Sequence, residues 1–317
     1  MRSFHLVAAS CIVLVSITAC HHQGAGEDHT SHMAMSTSSA VAGQGSVGLP
    51  ASNGAVAARI ASSPRRGEWI KVPFEAGSKD TIMAWIVYPS NARGKAPVVV
   101  VVHDITGLST WARGVADQAA AEGFIAVSPD FTSRVRGAPN SAELPRDSAG
   151  KLMALVNSGE RNRIIGAVAT YAMSQPSADH HYGVIGYCWG GGTVFMHVVN
   201  GGVSGFGGGV AFYGLPYMNG AAPVRDSLAK IKVPVMLFSG AKDARIGAAM
   251  PGVDSMMKSL GKNYASTNYD GAVHGFMRSQ DDPKAARDLA EEAANVAAAK
   301  DAWPRTMSFL KLHLGVH

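Results

Sequence analysis

The chain has 317 residues, 47% of them hydrophobic and 16% charged, which is enough apolar material for a sizeable core and too little charge for a mostly disordered protein. The formal charge of +5 is scattered, with no basic stripe interleaved with aromatics and no zinc-finger spacing, which argues against a nucleic-acid partner. A modest positive balance suits an acidic small molecule better.

The N-terminus opens with Arg2 and an apolar run from Leu6 to Ile17, about 12 residues long, the length of a signal-peptide core; a spanning helix needs about 20. The run ends in Ile17-Thr18-Ala19-Cys20, which resembles a bacterial lipoprotein box. That resemblance implies cleavage before Cys20, lipidation of its thiol, and export to the cell envelope with a lipid anchor in the periplasm or outer membrane. An ordinary secretory cut near Ala19 and an uncleaved anchor are the alternatives. Residues 1–19 are thus expected as signal peptide, 20–66 as flexible tether and 67–317 as the folded domain. Cys11 would leave with the signal and Cys20 would carry lipid, so Cys188 is the one thiol left and no internal disulfide is possible. A lone thiol in an oxidising compartment is a liability unless it is buried or used.

From His21 to Arg66 the chain is rich in Ser, Gly, Ala and His without a hydrophobic period, the composition of a tether. Its His21, His22, His29 and His32 lie near Glu27, Asp28, Met33 and Met35, but no fold holds them at metal-binding geometry, so no metal is expected. Beyond Glu68 short apolar runs alternate with helical stretches. Trp69–Phe74 and Ile82–Tyr88 are predicted to form a hairpin. The valine run Pro97–Val102 has the character of a strand buried on both faces. Ser109–Glu122 is predicted helical, with Ser109 as N-cap and Gly123 at its end. Further strands are predicted at Phe124–Ser128, Tyr182–Tyr187, Gly208–Phe212, Val235–Ser239 and Ala265–Tyr269. Helices are predicted at Glu160–Met173, from Gly190–Gly192 to Asn200, near Val224–Lys230, at Pro251–Leu260, Asp282–Lys300 and Trp303–Leu314. Strands alternating with helices indicate an α/β domain with a mostly parallel sheet covered on both faces.

Gly186-Tyr187-Cys188-Trp189-Gly190 follows an apolar strand and opens a helix. This is the setting of a nucleophile elbow, with sulfur in place of the usual serine oxygen. The glycines leave room for the sharp turn, the helix dipole favours a thiolate, and the Trp189 amide points to where an oxyanion would form. The other reading is a glycine-rich turn with a buried cysteine. Later in the chain, Asp243 follows the Val235–Ser239 strand and His274 follows the Ala265–Tyr269 strand, in the order nucleophile, acid, histidine and on the active-site edge of a parallel sheet. His274 would take the Cys188 proton and Asp243 would hold the imidazole tautomer. A turn or cap role is the alternative for Asp243. His197 reads as a packed, hydrogen-bonded residue, His180 and His181 as loop residues, and Gly201–Gly209 as a flexible turn.

Over roughly Ile70 to the C-terminus, the chain resembles the dienelactone hydrolase family (carboxymethylenebutenolidases). Gly186-Tyr187-Cys188-Trp189-Gly190-Gly191, the Asp243 loop and His274-Gly275-Phe276 carry the resemblance. It implies an α/β-hydrolase fold, a cysteine nucleophile, no cofactor, and hydrolysis of a lactone or ester, dienelactone-like and bearing a carboxylate. It further implies that Asp104, standing where the family carries Glu, helps generate the thiolate. The side chain is one methylene shorter, so a water or an altered backbone would bridge it to Cys188; a structural turn is the alternative. The Ile105 amide would be the second oxyanion donor beside Trp189. Arg134 and Arg278 match the family's carboxylate-binding arginines, with Arg136 in reserve for a shifted loop, and Tyr187 is expected to contact substrate. The expected partners are a small-molecule ester or lactone and, through Cys20, a membrane; a monomer is expected. The alternatives are an envelope hydrolase of a different ester or amide, and a lipid-anchored binding protein that has lost turnover.

Overall fold

The structure is a computed structural model that describes residues 46–90, 94–137, 144–282 and 285–315. The signal segment, Cys20 and the histidine cluster at 21–32 lie outside the described residues. In chain order the first elements are α1 (Val56–Ala61), β1 (Gly67–Pro73), β2 (Thr81–Val87), β3 (Ala96–Val102), α2 (Thr110–Ala121) and β4 (Ile125–Pro129). There follow α3 (Ser133–Arg136), α4 (Arg146–Ala154), α5 (Ser158–Met173), β5 (Ala178–Tyr187), α6 (Trp189–Asn200) and β6 (Phe206–Phe212). The chain continues through a small β7–β8 hairpin (Met218–Asn219 and Ala222–Pro223), α7 (Arg225–Ala229), β9 (Val235–Gly240) and α8 (Ala244–Ser259). It closes with β10 (Tyr264–Tyr269), α9 (Phe276–Ser279) and α10 (Leu289–His313).

Eight strands form one sheet in the order β1-β2-β4-β3-β5-β6-β9-β10. β2 runs antiparallel to β1 and to β4, and every other neighbouring pair is parallel. This mixed, mainly parallel sheet with helices on both faces is the α/β-hydrolase arrangement. The valine run shows why the strands read as continuous hydrophobics. Val98, Val100 and Val102 enter the core beneath α5, α6 and α8, while Val99 and Val101 enter the core beneath α1, α2 and α10. The expected strands all form, and so does the cap on α2, where the Ser109 hydroxyl accepts from the Ala112 amide at 3.4 Å.

Several boundaries differ from expectation. Residues 46–66, placed in the tether by composition, pack onto the domain. Leu49, Ala51, Ala55 and Val56 are buried, Arg65 pairs with Asp117 at 2.7 Å, and the absent side chain of Gly114 makes room for Val56. The two predicted C-terminal helices are one, α10, with Pro304 inside it. The core packing of Ala302, Trp303, Thr306 and Met307 on both sides of the proline outweighs its helix-breaking tendency. α8 begins at Ala244 rather than Pro251, because the Asp243 carboxylate caps it by accepting from the Ile246 amide at 3.2 Å. β5 begins at Ala178, so His180 and His181 lie on a strand rather than in a loop.

Candidate active site

β5 lies at the centre of the sheet, and the chain turns at its C-terminal end directly into α6. Cys188 occupies the corner as the N-cap of α6, with φ 56° and ψ −112°. That left-handed φ is costly for a non-glycine residue, and such strain persists only where surrounding structure enforces it. The enforcement is visible: the Cys188 amide donates to the Phe212 carbonyl at 3.0 Å, and the Cys188 carbonyl accepts from the Gly192 amide at 3.2 Å. The flanking glycines allow the close approach. A Cβ on Gly186 would lie 2.3 Å from the Gly190 oxygen, and one on Gly190 would lie 2.4 Å from the Val102 oxygen and 2.5 Å from that of His103. Larger residues at either position would push the helix off the sheet.

Asp243 follows β9 and His274 follows β10, both at the same sheet edge as Cys188. The Asp243 Oδ2 accepts from His274 Nδ1 at 2.5 Å while its Oδ1 caps α8, so the cap role and the histidine-partner role coexist on one carboxylate. Burial lowers the His274 pKa, but hydrogen bonding and charge from Cys188 and from Asp243 together outweigh it and leave the imidazole above its ordinary value. Cys188 and His274 share a cavity of about 530 Å³ whose described walls include Asp104, Ile105, Thr106, Leu144, Tyr213 and Arg278.

The dienelactone hydrolase family profile matches residues 82–314, well over half of the chain. The chain belongs to the dienelactone hydrolase family. It is accordingly a lactone or ester hydrolase. A carboxymethylenebutenolidase of Pseudomonas putida is 28% identical over 196 residues, covering 60% of this chain and 78% of the relative. Among solved structures, a dienelactone hydrolase-like promiscuous phosphotriesterase from metagenomic libraries superposes with a TM-score of 0.60 at 20% identity, covering 76% of this chain and 98% of that one. A Pyrococcus furiosus esterase superposes with a TM-score of 0.52 at 15% identity, over 79% of this chain and 92% of that one. At these identities the superpositions speak to fold alone.

Within this family member the remaining predicted residues divide. Ile105 lies on the cavity wall, and Trp189 is the first residue of α6, where a helical amide has no intrahelical acceptor. The Trp189 ring packs away from the cavity, stacked at 5.9 Å on His103 and edge-on to Phe131 at 5.2 Å, with the Arg161 guanidinium 4.2 Å from its centroid. Asp104 is on the wall, but both of its carboxylate oxygens are engaged. Oδ1 accepts from the Thr106 amide at 2.8 Å and its hydroxyl at 2.6 Å, and Oδ2 is ion-paired with Arg278 Nη1. Arg278 also donates to Asn53 Oδ1 at 3.0 Å and lies over the Trp111 ring, 5.4 Å from its centroid.

Arg134 is a correction. It sits on α3, pairs with Asp80 at 2.5 Å and with Glu160, covers the Phe74 ring at 3.7 Å, and lines a separate cavity with Lys71, Lys79 and Thr81. Its fork is spent on carboxylates of the protein rather than of a substrate. Arg136, the alternative, is likewise tied to Asp130 at 2.5 Å and to the Thr132 hydroxyl at 2.9 Å. Tyr187 is a second correction: its side chain is fully buried between Trp111 and Phe212, at ring separations of 4.8 Å from each, and is not on the cavity wall. His197 is packed and hydrogen-bonded as expected, to Tyr182 Oη at 2.9 Å and Asn162 Oδ1 at 2.7 Å, and burial pushes its pKa down to about 3.

Two site residues escaped the sequence reading. His103 is buried with Nδ1 2.7 Å from the Asp104 carbonyl, and its Nε2 accepts from the Phe131 amide at 3.3 Å. An Nε2 that accepts and an Nδ1 that donates define a neutral ring, and burial lowers its pKa accordingly. This histidine anchors the loop that carries Asp104 and Ile105. Tyr213 follows β6 at the active-site edge, a position that strand-end reasoning could have flagged.

Proposed function

We propose that this hydrolase works through Cys188 as nucleophile, His274 as general acid and base, and Asp243 as the group that orients the imidazole. The observation that carries the reading is the 2.5 Å His274–Asp243 hydrogen bond on the wall of the cavity that also holds Cys188 at the strand–helix corner. His274 takes the thiol proton, and the thiolate sulfur attacks the ester or lactone carbonyl carbon. A C–S bond forms while the carbonyl π pair moves onto oxygen, where the amides of Ile105 and Trp189 receive the negative charge. Collapse of the intermediate breaks the C–O bond, and His274 returns its proton to the departing alkoxide. Water then gives a proton to His274 and attacks the thioester carbonyl; collapse breaks the C–S bond, His274 returns the proton to sulfur to restore the thiol, and the acid product leaves and gives its own proton to solvent. Cys188→Ala and His274→Ala are each expected to abolish hydrolysis of a small aryl ester; undiminished turnover in both would remove the mechanism.

Arg278 supports a preference for carboxylate-bearing lactones, because it is the one predicted arginine on the described cavity wall. Its pairing with Asp104 means that a substrate carboxylate must compete for the guanidinium, which weakens the preference. Arg278→Ala should raise KM for carboxylate-bearing lactones more than for matched neutral esters, while Arg134→Ala should change both alike. Asp104 reaches the reaction through this same ion pair, as the group freed when a substrate anion takes Arg278.

The Ile17-Thr18-Ala19-Cys20 box supports an exported, lipid-anchored protein that acts on an ester or lactone in the cell envelope. Membrane fractionation of wild type against Cys20→Ala tests this: the variant should leave the membrane fraction, and retention there would count against the anchor.

A further inference from the structure

Tyr213 combines two unfavourable features. Its backbone has φ 41°, in the left-handed region that a bulky residue avoids, held by a 2.6 Å hydrogen bond from its amide to the Phe238 carbonyl. Its side chain is 1% exposed, and its hydroxyl has no hydrogen-bond partner among the described residues. A phenylalanine would fill the same space without an orphaned polar group. Yet the residue stands on the wall of the Cys188 cavity, with its ring centroid 4.9 Å from that of His274. Strain and an unsatisfied donor at one position beside a reacting group point to an acceptor that exists only during the reaction.

We propose that the Tyr213 hydroxyl is a further functional group of this site, a hydrogen-bond donor whose acceptor is the negatively charged sulfur of Cys188. Burial, reinforced by Tyr187, Asp104 and Cys188, holds the phenol well above its ordinary range, so it stays protonated and can only donate to an anion. Asp104 is the other nearby anion; its Oδ1 already accepts twice from Thr106 and its Oδ2 is ion-paired with Arg278, and alkylation measured without a substrate anion leaves that pairing in place. The resting structure has no hydrogen bond between the hydroxyl and the Cys188 sulfur, which is a weak acceptor as a neutral thiol; once His274 removes its proton, the sulfur becomes a strong one. The phenol keeps its proton throughout. The donor therefore favours the ionised nucleophile over the resting one.

The inference rests on Cys188 being the nucleophile, and the test separates the two. In full-length Tyr213→Phe, the rate of iodoacetamide alkylation at Cys188, read by peptide mass spectrometry at neutral pH, should fall about tenfold. The kcat/KM for a small aryl ester should fall by about ten- to a hundredfold with KM nearly unchanged, while Tm stays level or rises because an unsatisfied hydroxyl is gone. Alkylation and kcat/KM both within about twofold of wild type would overturn the assignment. Slower alkylation accompanied by a lower Tm would also overturn it, by assigning Tyr213 to packing. Failure of the nucleophile reading would appear instead as turnover in Cys188→Ala, which is expected to be inactive whatever Tyr213 does.

Discussion

Asp243 carries two roles on separate oxygens, and substitution can pull them apart. Oδ1 caps α8 through the Ile246 amide at 3.2 Å, and Oδ2 holds His274 Nδ1 at 2.5 Å with the Asp243 side chain only 8% exposed. Asp243→Asn keeps a capping oxygen, and Asn and Asp cap almost equally well, so stability should change by less than about 0.5 kcal/mol. The substitution removes the charge that stabilises imidazolium and permits the wrong tautomer, so kcat/KM should fall by about 10² to 10⁴, equivalent to roughly 3–5 kcal/mol of transition-state stabilisation. Asp243→Ala should lose the same activity and, in addition, about 1 kcal/mol of stability for the missing cap. The His274 pKa is raised in part by Asp243, so the imidazole titration followed by NMR should move to lower pH in Asp243→Asn. Steady-state kinetics on an aryl ester and urea unfolding supply the two readouts. An Asn variant within threefold of wild-type kcat/KM, at a rough tolerance for kinetic error, would refute the role given to Asp243.

Gly190→Ala would bring a Cβ to 2.4 Å from the Val102 oxygen, and backbone on both sides leaves little room to yield. A loss of about 3 kcal/mol or more in urea unfolding is expected, and a wild-type unfolding curve would contradict the close-approach argument. Pro304→Ala, at an exposed position inside α10, should raise stability by about 1–3 kcal/mol by restoring a helical N–H; a lower Tm would count against it. His197 is neutral in the fold with its pKa pushed down to about 3, against an ordinary value of 6.5. The unfolded chain therefore binds the extra proton first, and stability is lost as pH falls below 6.5. Between pH 6.5 and 5 this amounts to on the order of 2 kcal/mol, measured as urea unfolding free energy. His197→Gln should flatten that slope, and an unchanged slope would assign it to other groups.

The central strands and the elbow were legible because their constraints are local. A strand buried on both faces must be apolar throughout, and a Cys188 corner pressed against β3 must be flanked by glycine. Asp243 and His274 were legible from chain order, since strand ends on one edge of a parallel sheet converge. What the spacing around Arg134 could not show was the direction of its side chain. Its partners, Asp80 and Glu160, are 54 and 26 residues away, and only the fold brings them to it. Tyr187 is adjacent to Cys188 in sequence, but the turn there leaves it in the core. Residues 46–66 read as linker because their few apolar side chains, Leu49 and Val56 among them, have no period of their own; their burial depends on a groove supplied by α2. The start predicted at Pro251 and the break predicted between Lys300 and Trp303 are absent because capping and tertiary packing carry α8 and α10 through Pro251 and Pro304. Tyr213 gave no motif at all, only a position after a strand.

The most direct test of the account is to trap the acyl-enzyme. Full-length His274→Gln, held at about pH 9 so that the Cys188 thiol ionises without its base, mixed with an aryl ester whose phenolate leaves without a proton and quenched in acid, should accumulate the acyl group because deacylation lacks its base. Peptide mass spectrometry should place the added acyl mass on Cys188. An acyl group found on any other residue would contradict the account.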